Sequence, residues 1–291
     1  MPHFTSPPRA ATTLLPRPKG FLRVGLLIAA ILAVAFVATQ FYQHRIAPAR
    51  LEAAMRQPDW PNDASAAAAM RRHITDPRGI VRFFDLDAEA NLPTAWSGLQ
   101  LVAVAGLLGV VGVQARRTGR PFATMWLLLA AGFVMLAVDE MAQIHGGMYL
   151  AASGEAQRRA RGVLYYSWVV PALALVGVAG LVFARFLMHL PSRTRWLFVA
   201  CGAMYVLSAI GGEMAAGWLK SSGVQRQRLW TSLTVTLEEI GEMVAITFFA
   251  ASVLDHLRRS GIDLLISEGT APAAPEAERS IPFPRPGRRA A

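Results

Sequence analysis

The chain has 291 residues, 54% of them hydrophobic and 16% charged, with a formal net charge of +10. A water-soluble globular domain does not carry so little charge on so much apolar sequence, and the apolar residues are gathered in blocks long enough to cross ~30 Å of hydrocarbon. The positive charge lies largely in the tails and at block ends, where it holds helices at lipid headgroups, so it excludes nucleic acid as the partner and points to the bilayer.

In chain order, residues 1–20 form a basic, Pro-rich tail expected to be disordered. The first apolar block is Phe21–Phe41. Ala33-Val34-Ala35 has the form of a signal-peptide cleavage site, but hydrophobicity continues through Ala38, which favours an uncleaved span. An extramembrane loop, 42–93, follows. In it Asn62 or Asp63 can cap a short helix over Ser65–Ile74, stopped by Asp76-Pro77, and Ile80–Phe84 reads as an extended or interfacial segment. Five more blocks follow: Trp96–Val113, Pro121–His145, Val163–Met188, Trp196–Trp218 and Leu229–Leu254. Residues 260–291 are rich in Ala, Pro and Arg and read as a second disordered tail. The expected fold is all-α, a polytopic membrane bundle of six transmembrane helices over residues 21–259. Cys201, the single cysteine, excludes an intrachain disulfide, and no Cys/His zinc pattern is present.

Counting crossings puts the 42–93 loop, the Gly146–Gly162 loop and the Leu219–Arg228 loop on one side and both tails on the other. Arg9, Arg17, Lys19 and Arg23 flank the first block without an acid. By the positive-inside rule both termini are cytoplasmic, in a bacterial inner membrane, and the large loop is periplasmic.

The chemistry lies in acids placed where lipid is expected. Asp139, Glu140, Gln143 and His145 belong to the third block, Glu213 to the fifth, and Glu238, Glu239 and Glu242 to the sixth. A charge in a bilayer costs roughly 2.5–3.5 kcal/mol even on the lenient insertion scale, and such residues are usually functional. At 1.5 Å per residue Asp139 lies about 9 Å in from His145, and Glu213 about 8 Å from Trp218. Glu238 and Glu242 lie roughly 12 and 18 Å past Trp230. Most therefore fall in the half that faces the large loop, with Glu242 near the midplane. Glu238, Glu239 and Glu242 share one arc of about 100° on their helix, as Asp139, Glu140 and Gln143 do on theirs. His145 falls off that arc unless the helix ends at Gly146-Gly147.

The loop enters the second span through Asp85, Asp87, Glu89 and Asn91. These alternating oxygens suit a hard cation, though Ala90 and Trp96 break the EF-hand pattern; the alternative is a solvated turn in which Asn91 or Thr94 caps the next helix. Asp85-Leu86-Asp87-x-Glu89-x-Asn91-x-Pro93-Thr94, Asp139-Glu140 with His145, and Glu238-Glu239-x-x-Glu242-Met243 together resemble a group of bacterial multi-pass membrane proteins with no assigned activity. The resemblance covers roughly residues 83–254 and implies membership, not mechanism. An acid often follows the His in that group, where this chain has Gly146.

Three functions fit these residues, and divalent-cation binding near the periplasmic face is the first choice, with the other two as alternatives. In the first, Asp139, Glu140, His145, Glu213, Glu238, Glu239 and Glu242 bind a divalent cation, with Gln143, Asp85, Asp87, Glu89 and Asn91 as secondary ligands. Carboxylates with one imidazole suit Mn, Fe, Mg or Ca better than copper or zinc. In the second, the same acids serve a proton- or cation-coupled transporter, and the shared acidic pattern of the third and sixth spans echoes an inverted repeat. In the third, the protein is structural and Arg158, Arg159, Arg161, Arg226 and Arg228 reach in to pair with the acids. The residues do not separate enzyme from carrier from scaffold.

Overall fold

The computed structural model describes residues 15–88, 90–142, 144, 161–223 and 228–262, and residues 16–262 belong to one compact unit. Every regular element among the described residues is helical. Six of the helices are long and apolar enough to cross a membrane.

The first, α1 (Pro18–Phe41), does not stop at the membrane edge expected at Phe41. It runs on through a π-helical turn, Tyr42–Ile46, into α2 (Ala47–Met55). Pro48 explains the turn: it has no N–H to give and its ring crowds the carbonyl four residues back. The wider turn absorbs that defect, with the Ala47 amide bonding to the Tyr42 carbonyl. Beyond it Ala, Leu and Glu sustain the helix.

Asp63 caps α3 (Ala64–Thr75), its carboxylate accepting from the Ala66 amide at 2.9 Å. The Tyr42 hydroxyl donates to the Ile74 carbonyl at 2.6 Å and ties α3 back to the end of the first span. A short turn, Pro77–Gly79, leads into α4 (Ile80–Phe83). This one-turn helix overturns the extended alternative of the extended or interfacial segment expected there. Asp76 holds it by accepting from the Val81 amide at 2.8 Å, a local bond that outweighs the β-propensity of Ile-Val.

The remaining spans are α5 (Leu92–Arg117), α6 (Ala123–Ala142), α7 (Val169–His189), α8 (Ser192–Ser221) and α9 (Arg228–Arg259). The last of them is the hub: α9 packs on α1, α5 and α8, while α5 also packs on α6 and α7 on α8. In the most apolar stretch of α9 67% of residues are buried, against 11% in α7. The outer faces carry bare leucines, with Leu181 81% and Leu207 and Leu237 each 72% exposed. Water would not tolerate that surface, and lipid tails would.

At the tail end of the bundle the Trp126 ring stacks on His256 with 5.0 Å between centroids. Asp255 accepts from Arg193 at 3.1 Å and from Arg259 at 2.9 Å. The Arg193–Asp255 pair staples the start of α8 to the end of α9, and Trp126 ties α6 to the same end.

Candidate functional site: an acid ladder along α8 and α9

Helices α8 and α9 run antiparallel, and small residues let them close up. A Cβ on Gly212 would stand 2.7, 2.8 and 2.9 Å from Cβ, Cγ and Cδ of Glu238. Only glycine lets that acid lie across α8. One turn deeper Gly241 meets the Ser208 side chain with no room for a Cβ. One further step along, the Tyr205 hydroxyl and the Glu242 carboxyl face each other closely enough to act on one another. The register therefore advances Gly212–Glu238, Ser208–Gly241, Tyr205–Glu242, from the loop side into the membrane.

Other acids converge on this seam. Glu213 and Glu239 lie within electrostatic reach of Glu238, and so does Asp87 of the large loop. Glu140 of α6, together with Glu213 and Glu238, acts on Glu242. Asp139 and Glu140 both act on the Tyr205 hydroxyl. Side chains of α6, α8, α9 and the large loop thus form a ladder from Asp87 at the surface to Glu242 inside. Glu238 and Glu242 are both partly buried.

Among the described residues, a cation acts at the mouth of the ladder. Lys220, at the end of α8, acts on Asp87 and lies 5.0 and 5.5 Å from the ring centroids of Tyr165 and Tyr166. Loss of water around their carboxyls lifts both Asp85 and Asp87 above the ordinary aspartate value. For Asp87, which keeps part of its surface exposed, the charge of Asp85 adds to the lift and Lys220 opposes it. For Asp85 the Asp87 amide, donating at 3.2 Å, opposes the lift and Asp76 adds to it. Folded, these groups hold protons more readily than unfolded. Their destabilising contribution is absent below the ordinary value of 3.8 and grows as pH rises above it. Hydrogen-exchange protection of the Val81–Asp87 amides, corrected for intrinsic rates, is expected to fall as pH rises from 4 toward neutrality. Asp85→Asn with Asp87→Asn is expected to flatten that dependence.

Asn91 takes the capping alternative. Its Oδ1 accepts from the Thr94 amide at 3.2 Å and the Thr94 hydroxyl at 3.1 Å. Its Nδ2 donates to the carbonyls of Arg82, Asp85 and Ala88. The side chain that was a candidate cation ligand is taken up in fastening the loop to the first turn of α5. Asn91→Ala removes the cap and the loop clamp together. A cap alone is worth about 0.5–2 kcal/mol, so a melting temperature several degrees lower is expected in scanning fluorimetry.

Gln143, His145 and Glu89 lie outside the described residues, as do Arg158, Arg159 and Arg226, and nothing is described of the Arg228 side chain. Arg161 is exposed. Among the described residues no group of three or more His, Cys, Asp or Glu side chains is arranged to hold a metal ion. Tyr205 and Lys220 are the additions that the sequence reading missed. A tyrosine hydroxyl in the middle of an apolar run, eight residues before Glu213, was the available signal for the first.

Residues 27–256 match a family described as a domain of unknown function (DUF8692). The chain belongs to that family. Neither a curated protein nor a solved structure matches it. The match runs from within the first span to within the last and takes in the whole ladder, so the acids are part of the domain itself and not of an appendage.

Proposed function

We propose that this chain is a proton-conducting membrane protein, the carrier reading of its acids, in which Glu238 and Glu242 bind protons that enter past Asp87. The observation that supports it is the Tyr205 hydroxyl beside Glu242 at the inner end of a run of carboxyl groups that act on one another. Two carboxylates one helical turn apart, facing further acids, cannot all carry charge at that depth at tolerable cost. Protons resolve the conflict with the smallest change in geometry, and a hydroxyl between acids passes a proton along by accepting one and donating its own. On the positive-inside reading of the tails, the mouth at Asp87 and Lys220 faces the periplasm of a bacterial inner membrane.

The test is infrared difference spectroscopy of protein in nanodiscs, stepped in pH, beside elemental analysis. A protonated-carboxyl stretch that titrates in the wild type and is lost in Glu242→Gln is expected. No titrating band, or stoichiometric Mn, Fe, Mg or Ca that disappears in Asp139→Ala and Glu239→Ala, would overturn the proton reading. The metal result would put a divalent cation in its place.

A further inference from the structure

Among the described residues two buried polar atoms on α5 have no hydrogen-bond partner: the donor Nε1 of Trp96 and the acceptor Oε1 of Gln100. They belong to residues four apart, which lie one above the other on a helix face. Gln100 is 2% exposed. Its Nε2 donates to the Thr247 hydroxyl at 2.6 Å, and that hydroxyl donates on to the Met243 carbonyl at 2.8 Å. Thr247 is fully buried and presses on α1 at Gly25, where a Cβ would come 2.8 Å from Oγ1. Trp96 packs against the cluster that contains Met243 and Leu86. A polar seam thus runs through the junction of α1, α5 and α9, starting beneath the loop residue next to Asp87.

The chemistry of the two atoms selects the ligand. An unmet buried donor or acceptor costs about 1–3 kcal/mol, so each calls for a partner. A metal ion would be repelled by the indole N–H, and an anion by the amide oxygen. An apolar group would satisfy neither. A water molecule accepts from one and donates to the other, and buried waters typically have 2–4 such partners.

We propose that Trp96 and Gln100 hold a buried water that joins the Trp96 indole to the Gln100–Thr247–Met243 chain of hydrogen bonds and so fastens α5 to α9. The site is independent of the proton-conducting reading above. Glu239, Met243 and Thr247 follow one another at four-residue spacing along α9, so one stripe of that helix leads from the acids to the seam.

The experiment uses the full chain in nanodiscs, with the tryptophan indoles labelled with nitrogen-15. Cross-relaxation between bulk-exchanging water and the Trp96 N–H is expected, with the signal assigned by its loss in Trp96→Phe and weakened in Gln100→Leu. Absence of that cross-peak in the wild type overturns the site. Gln100→Met keeps the side-chain volume should Gln100→Leu fold poorly, and an unchanged cross-peak in a folded Gln100 variant overturns Gln100 as the second partner.

Discussion

Gly212→Leu is expected to leave little correctly folded protein, while the same change's milder form one residue earlier, Gly211→Ala, is tolerated. The contrast comes from what each glycine faces. A Cβ on Gly211 meets nothing within 4 Å, whereas one on Gly212 meets three carbons of Glu238 at under 3 Å. Gly211→Ala gains about 0.5–1 kcal/mol of helix propensity. Gly212→Ala already forces α8 and α9 apart or drives Glu238 out of the seam. Overpacking of this kind costs typically 1–3 kcal/mol, and a leucine side chain adds to it. Because the Ser208–Gly241 contact lies one turn away, the strain spreads along the shared face. Monodispersity on size exclusion and melting temperature, measured on Gly211→Ala, Gly212→Ala and Gly212→Leu, check this. Equal behaviour of the two alanine variants would contradict the observed register.

Tyr205→Phe is expected to slow proton transfer about 10- to 100-fold with the fold intact. The ring stays, so the apolar packing of α8 stays. The hydroxyl goes, and with it the group that acts on Glu242 from α8. Hydrogen bonds to charged groups are worth about 1.5–3 kcal/mol, which corresponds to that range of rates. The carboxyl stretch of Glu242 should move to the position of a weakly hydrogen-bonded acid. A vesicle assay beside the infrared spectrum separates the two consequences. Wild-type transfer in Tyr205→Phe would remove Tyr205 from the path and leave Glu140 and Glu238 as the neighbours that matter.

Much of the fold was legible because lipid imposes a single rule, that backbone polar groups are satisfied within each segment. Blocks of apolar residues therefore became helices at nearly the expected places. Their ends moved where local chemistry acts over a few residues. The first helix ran past Phe41 because a π turn accommodates Pro48, and periodicity carries no sign of that. Asp63 as a cap was readable from residue type and position, and Asn91 was readable as a cap or a ligand but not as which. At the site, span counting brought the acids to one side. It could not show that Glu238 and Glu242 belong to the face that meets α8 while Glu239 shares a stripe with Met243 and Thr247. The single arc drawn for the three acids is divided by the helices that pack around α9, and that depends on partners the chain reaches only in three dimensions. Lys220 was hidden for the same reason, since its tyrosine neighbours come from the segment before α7.

The central position of α9 bears on how the protein is made. Segments emerge from the ribosome in order, so α1, α5 and α8 enter the membrane before the helix that each of them packs on. Until it arrives, Gln100 has no Thr247 to bond, Gly25 has no neighbour to press on, and Tyr205 has no Glu242. Biogenesis therefore passes through a half-built bundle with polar groups open to lipid. Translation stalled ahead of residue 228 should yield a species held by insertion machinery or cleared by membrane proteases, and release of the last span should rescue it.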